Sequence, residues 1–303
     1  MTPPEISVLV TAYNRPEHLK RCLEALARSG ASRVLLSVDG PGPGQERRVR
    51  GTVEVAESGL GAFEQADLLV SSHHRGCAQG VIRAIDWAFE CSPAVVIVED
   101  DIQVSAEFID FSHLSLARFS PDDRVGSIGG MSLVPMTVLE QPVAPMRASL
   151  IPTSWGWATW SDRWEVFRRY SGTDLHVPAA LDGFFRRYFW RGILKDVDAG
   201  RIDSWAYPWL RVHWLREWWA VLPSQALVLN RGFDSYSTHT TGAAPPYLPR
   251  RLNAPSGFIA TCVAQGDIEL DAGADQWMRD NVLNADPPHL WYSRFRRRLR
   301  TLP

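Results

Sequence analysis

Along its first hundred residues the chain alternates between two patterns. Ile6–Thr11 is a short run rich in β-branched residues, which predicts a strand. The segment "RPEHLKRCLEALARSG" (15–30) instead sets Leu19, Cys22, Leu23 and Leu26 at helical spacing, with Pro16 near the start and Gly30 just past the end. "RVLLSVDG" (33–40) predicts a second strand closing on Asp39-Gly40, "PGPGQERR" a loop, and "ADLLVSS" (66–72) a third strand. Val81–Glu90 presents Ile82, Ile85 and Phe89 on one helical face, and Ala94–Val98 is a fourth strand. Strands and helices in alternation predict an α/β fold, a Rossmann-like, mostly parallel central sheet with helices on both faces.

Beyond residue 103 the pattern changes. "AEFIDFSHLSLARF" (106–119) is a helix and "VGSIGG" (125–130) a strand; a Trp-rich region follows over 153–219, then a strand at 226–229 inside "ALVLNRGF". From Gly242 the chain is rich in Pro, Ala and Gly without clear period, which predicts a loosely packed extension. The expected organisation is one unit over 1–242, its halves 1–103 and 104–242 sharing a sheet, with 243–303 appended.

Composition narrows the class. Of 303 residues, 45% are hydrophobic and 22% charged, the ordinary balance of a globular protein, and a net charge of −2 gives no argument for nucleic acid as a partner. Four cysteines form no CxxC pair, which fits a reducing, cytoplasmic location. The opening "MTPPEISVLV" has no signal-peptide pattern, and no run reaches the length of a membrane span. The end, "YSRFRRRLRTLP" (292–303), holds five arginines with Phe295 and Leu299 at helical spacing. It suits either a solvated terminus or peripheral contact with an anionic membrane surface.

The polar clusters of the first half all fall where strands end: Tyr13-Asn14-Arg15, Asp39-Gly40, His73–Gly76 and Glu99-Asp100-Asp101. In open α/β sheets that edge binds ligands. The triplet Glu99–Asp101 raises the sharpest question, because adjacent carboxylates at the end of the apolar run Ala94–Val98 repel unless a cation offsets them. Oxygen-only ligands suit a hard dication, Mg²⁺ or Mn²⁺. The plain alternative is a solvated strand-to-loop junction.

"VLVTAYNRPEHLKRCLEAL", "SVDG" and "VVIVEDDIQVSAEFIDF", taken in order, resemble nucleotide-sugar-dependent glycosyltransferases of the GT-A fold. The EDD triplet is similar to that of the Golgi N-acetylglucosaminyltransferases. "SWGWATWSDRW" (154–164) and "NRGFDSYSTHT" (230–240) resemble later motifs of a bacterial group in the family-two glycosyltransferases. The likeness runs from about residue 5 to 242.

It implies transfer of a sugar from a UDP- or GDP-sugar to a hydroxyl acceptor, with inversion and a bound Mn²⁺ or Mg²⁺. Thr11, Tyr13 and Arg15, with Asn14 among them, line the nucleotide-base pocket, and Asp39 binds base or ribose. Arg75 and Gly76 lie near the diphosphate, where a guanidinium offers paired donors and glycine admits close backbone approach. Asp101 ligates the metal, Asp100 and Glu99 lie near ribose and donor sugar, and His239 reaches the metal or diphosphate. Trp155 and Trp157, beside Gly156, form walls of the sugar pocket, since aromatic rings stack on sugar faces. An inverting transferase also needs a carboxylate base. Related chains carry an aspartate after a tryptophan where this one has Ala206, which leaves Asp203 and Asp234 as candidates. Ala206 also keeps open a noncatalytic nucleotide-sugar-binding protein. A nucleotidyltransferase is disfavoured by the glycine-free loop "TAYNRPEH" after the first strand.

Overall fold

The computed structural model describes residues 6–140, 142–174, 176, 184–233, 244–252 and 254–283. The first strand, β1 (Ser7–Ala12), is followed by α1 (Pro16–Arg28), β2 (Arg33–Val38), α2 (Glu46–Gly59), β3 (Gln65–Val70), α3 (Gly76–Cys91) and β4 (Ala94–Glu99). Then come β5 (Ile102–Val104), α4 (Glu107–Phe119), β6 (Val125–Gly129), β7 (Met146–Ser149), β8 (Trp157–Trp160) and α5 (Ser161–Arg169). The remainder is α6 (Phe184–Asp198), α7 (Ala206–Leu215), β9 (Trp219–Pro223), β10 (Val228–Asn230), α8 (Phe258–Ala264) and α9 (Ala272–Asn281).

Eight strands form one sheet in the order β3-β2-β1-β4-β8-β6-β9-β7. The β3-β2-β1-β4 portion is parallel throughout; β8 enters antiparallel between β4 and β6. β5 and β10 pair antiparallel as a separate ribbon. Alternation along the buried strands divides the core. Val8 and Val10 of β1 and Val96 and Val98 of β4 face one side, with Leu19 and Leu26 of α1 and Phe108 and Phe111 of α4. Leu9, Val95 and Ile97 face the other, with Ile82 and Ile85 of α3 and Trp164, Trp209 and Val212 of α5 and α7. Each such buried aliphatic contributes roughly 1.5–3 kcal/mol relative to exposure. The sheet is therefore α/β, mostly parallel and covered on both faces, as the alternation predicts.

Two expectations are corrected. The stretch expected as a loop over 41–48 runs into α2, whose inward face is only Val49, Thr52 and Ala56. That stripe is too sparse, and too interrupted by charge and Gly51, to stand out in the sequence. Within the described part beyond Gly242, the packing is not loose: Phe258 and Cys262 of α8 and Ala274 and Met278 of α9 are buried in the main core. Asp275 of α9 accepts hydrogen bonds from Ser149 and from the Leu150 N–H at 2.8 Å, and pairs with the buried Arg147 at 3.4 Å. No helix among the described residues is long and apolar enough to cross a membrane.

Candidate active site

β1 sends its connection toward β2 on one side and takes β4 as neighbour on the other. This switch in winding opens a crevice at the carboxyl ends of β1 and β4. Thr11 is level with Ser37 and with Glu99, so three strand ends meet at one height. A cavity of about 300 Å³ opens there. It is lined by Thr11, Tyr13 and Arg15 after β1, Asp39 after β2, Glu99 and Asp100 after β4, and Gly76 at the start of α3. Asp203, from the loop before α7, closes it.

The cation that offsets the acidic triplet is part of the chain. Arg15 lays its guanidinium across both aspartates: Nη2 donates to Asp100 Oδ1, Nε to Asp100 Oδ2 at 3.4 Å, and Nη1 to Asp101 Oδ2 at 2.9 Å. The Asp100 side chain is 1% exposed and that of Arg15 13%, so this is a buried, charge-assisted bridge. No hydrogen bond or ion pair joins Arg15 to Glu99 among the described residues. Burial first, then the charges of Asp101 and Asp100, hold the Glu99 carboxyl well above the usual carboxylate range, with Arg15 opposing. Burial also raises Asp100, against the pull of Arg15.

Asp39 builds the wall facing the triplet. Its carboxylate accepts the N–H of Gly40 at 2.9 Å and that of Arg75 at 3.1 Å, and meets His74 Nδ1 at 2.8 Å. A Cβ on Gly40 would lie 2.4 Å from the His73 backbone, so only glycine lets the two loops touch. His74 in turn stacks on Tyr13, ring centroids 4.5 Å apart at 24°. Asn14 is buried behind the cavity and donates to Gln45 at 2.8 Å.

Asp203 is 126 residues from the helix it caps. Its oxygens accept the N–H groups of Cys77 at 2.7 Å and Ala78 at 2.9 Å, the first turn of α3. Gly76 sits at φ +83°, and a Cβ there would stand 2.5 Å from Asp203 Oδ2. Both carboxylate oxygens of Asp203 are thus engaged at the N-terminus of α3. Ala206 opens α7 and packs against the buried tryptophans.

The structure separates other expected residues from this cavity. Trp157 is 1% exposed and stacks on Trp205 at 5.3 Å and 15°. It belongs to the core, because β8 alternation turns it to the α3 side. Trp155 meets Phe233 edge-on at 6.2 Å, and Gly156, at φ +63°, packs a would-be Cβ 2.8 Å from Val228. None of the three lines the cavity, which corrects their expected place in a sugar pocket. Arg75 contributes its backbone N–H to the wall; its side chain is not part of the lining. Asp101 sits on the seam behind it, its carbonyl accepting the Arg231 N–H at 2.8 Å. Asp234 and His239 lie outside the described residues, as does the arginine-rich segment 292–303.

His74, placed by the sequence on this edge as part of the 73–76 cluster, lines the cavity, as do Cys77 and Ser37, to which the sequence assigned nothing. The strand register flags Ser37 as the partner of Thr11, but Cys77 carries no local signal. Its thiol is pushed up to about 12 by burial and by the Glu99 and Asp203 charges, which keeps it neutral and unreactive. Among the described residues, no group of three or more His, Cys, Asp or Glu side chains converges into a metal cage. A hard dication needs only one or two carboxylates when substrate phosphates complete its shell. Asp101, with Asp100 beside it, offers that much.

No protein-family model and no curated protein matches the chain. Among solved structures it is similar to S. aureus TarS 1-349, at 14% identity and a TM-score of 0.44, covering 75% of this chain and 60% of that one. A longer S. aureus TarS aligns at 14% identity and TM-score 0.43, over 90% of this chain and 42% of that one. A complex of S. aureus TarS 1-349 with UDP aligns at 15% identity and TM-score 0.39, over 73% and 58%. This chain thus spans less than two thirds of each of those proteins.

Proposed function

We propose that the protein is a GT-A-type glycosyltransferase that moves a sugar, with inversion, from a nucleotide diphosphate-sugar to a hydroxyl acceptor. The observation that carries this reading is the cavity at the switch between β1 and β4. It joins a stacked aromatic pair suited to a base and a surplus of carboxylates over guanidinium. Tyr13, His74 and Thr11 receive the base. Asp39 orients it while holding the 73–75 loop. Gly76 brings backbone toward the diphosphate, and Glu99 and Asp100 face ribose and sugar.

A dianionic donor entering beside Asp39, Asp100 and Asp203 meets repulsion that Arg15 alone does not offset. That imbalance supports a divalent cation held at Asp101, Mn²⁺ or Mg²⁺, which when bound offsets charge on the departing diphosphate. Asp101 would hold it in place of its hydrogen bond from Arg15 Nη1. Asp203 or Asp234 deprotonates the acceptor hydroxyl. We place the protein in the cytoplasm, with the 292–303 segment available to an anionic membrane surface.

The engagement of both Asp203 oxygens favours one second reading, a nucleotide-sugar-binding protein without turnover. Thermal stabilisation by UDP and GDP, with and without Mn²⁺, tests the leading reading. A metal-dependent rise with at least one nucleotide supports it, and none with either sinks it. Products then divide the cases: nucleoside diphosphate release means sugar transfer, pyrophosphate release means nucleotidyl transfer, and binding without product means the second reading.

A further inference from the structure

Behind the Asp100–Asp101 wall lies a second cavity of about 340 Å³, a groove between α1 and the β5–β10 ribbon. It is lined by three arginines where the first cavity has one. Arg21 and Arg28 of α1 and Arg231 after β10 all line it. They are seven residues apart on α1, two turns or roughly 10.5 Å along one face. None of the three has a carboxylate within ion-pair distance among the described residues. Even Glu24, one turn from both α1 arginines and on the same groove, pairs with neither. Glu24, Asp100 and Asp101 also line the groove, and Arg15 offsets one of the two aspartate charges, so the arginines remain in excess by one.

Arg231 is fixed in place rather than trailing in solvent. Its backbone N–H is tied to the Asp101 carbonyl at 2.8 Å, and its Nε donates to Gln103 Oε1 at 3.0 Å. Gly232 makes that approach feasible, since a Cβ there would stand 2.1 Å from Asp101 Oδ2. A pinned guanidinium at one end and two more spaced along a helix suit an elongated ligand with more than one negative group, each met by paired N–H donors.

We propose that this groove binds the acceptor, and that the acceptor is a chain carrying repeated anionic groups, phosphate or carboxylate. Calling the ligand an acceptor rests on the transferase reading; the anion site itself does not. Asp100 lines both cavities, so a chain lying along α1 has a hydroxyl on the other side of that residue from the donor.

Calorimetry with inorganic tripolyphosphate and with tricarballylate, on the whole chain without metal, tests the site and separates the two anion chemistries. The wild type is expected to bind at least one of them, and Arg21→Glu/Arg28→Glu to weaken that binding about tenfold or more. Arg47→Glu/Arg50→Glu on α2 changes the net charge equally and should stay within about twofold. Absence of binding to either probe overturns the proposal, and so does an equal loss in the α2 variant. Binding to phosphatidylglycerol vesicles with no binding of the soluble anions also overturns it, in favour of a membrane surface. Thermal stabilisation by UDP and by GDP, each with Mn²⁺, is measured on the same proteins. Its absence with both nucleotides in every one defeats the transferase reading and leaves the anion site standing.

Discussion

Arg15 does two jobs at the level of single side chains: it opens α1 and neutralises Asp100 and Asp101. Because Asp100 is almost fully buried, removing its partner leaves an uncompensated charge rather than a solvated one. Arg15→Gln should therefore cost about 3 kcal/mol in urea unfolding. A loss under about 1 kcal/mol would show the pair to be solvent-screened. Glu99 makes a prediction of opposite form. Its folded carboxyl is raised from 4.5 to about 8, so the folded state holds a proton that the unfolded chain releases first. Stability attributable to Glu99 is thus full below its ordinary value and declines as pH rises toward the folded one. Melting curves between those limits should show wild type falling relative to Glu99→Gln by about 3 °C or more. Parallel curves would refute the buried-acid assignment. In the sequence, the charge of the triplet was plain, but its counter-ion was not, since Arg15 is 85 residues from Asp100.

At the level of elements, α3 depends on a cap supplied from far along the chain. Its preceding residue, Arg75, makes no side-chain cap, and Asp203 takes that place. Gly76→Ala strains a φ of +83° and drives a Cβ onto Asp203, so it should destabilise by about 1–3 kcal/mol and expel the carboxylate. Asp203→Ala should cost about 1 kcal/mol as a lost cap. If Asp203 is instead only a base, its alanine variant leaves the melting temperature untouched while turnover collapses. The strands β1 to β4 were legible because each is a short apolar run stopped by polar residues. The helix α2 was not, since three buried positions in fourteen residues make a weak periodic signal.

For the molecule as a whole, the stretch beyond residue 243 is bound into the main core through Asp275, Arg147 and Ser149. Breaking that buried set with Asp275→Ala should cost about 3–5 kcal/mol and move a single unfolding transition. Two separated transitions in calorimetry would mean that the C-terminal helices form their own unit. The tryptophans show the same dependence on assembly. Their sequence spacing fits a sugar-binding wall and a packed core equally well. Trp157, Trp164, Trp205 and Trp209 come from three segments and meet on the α3 side of the sheet.

The sequence by itself determined the strand–helix alternation and the edge on which polar groups collect. Both follow from periodicity within a few residues, which the backbone reads locally. Tertiary structure decided which charges meet. Arg15 answers Asp100 and Asp101, Asp203 seals α3, Trp157 turns inward, and Arg231 joins Arg21 and Arg28 across a groove. Those pairings span tens to hundreds of residues, and only the closed sheet fixes the distances at which charge and ring contacts act.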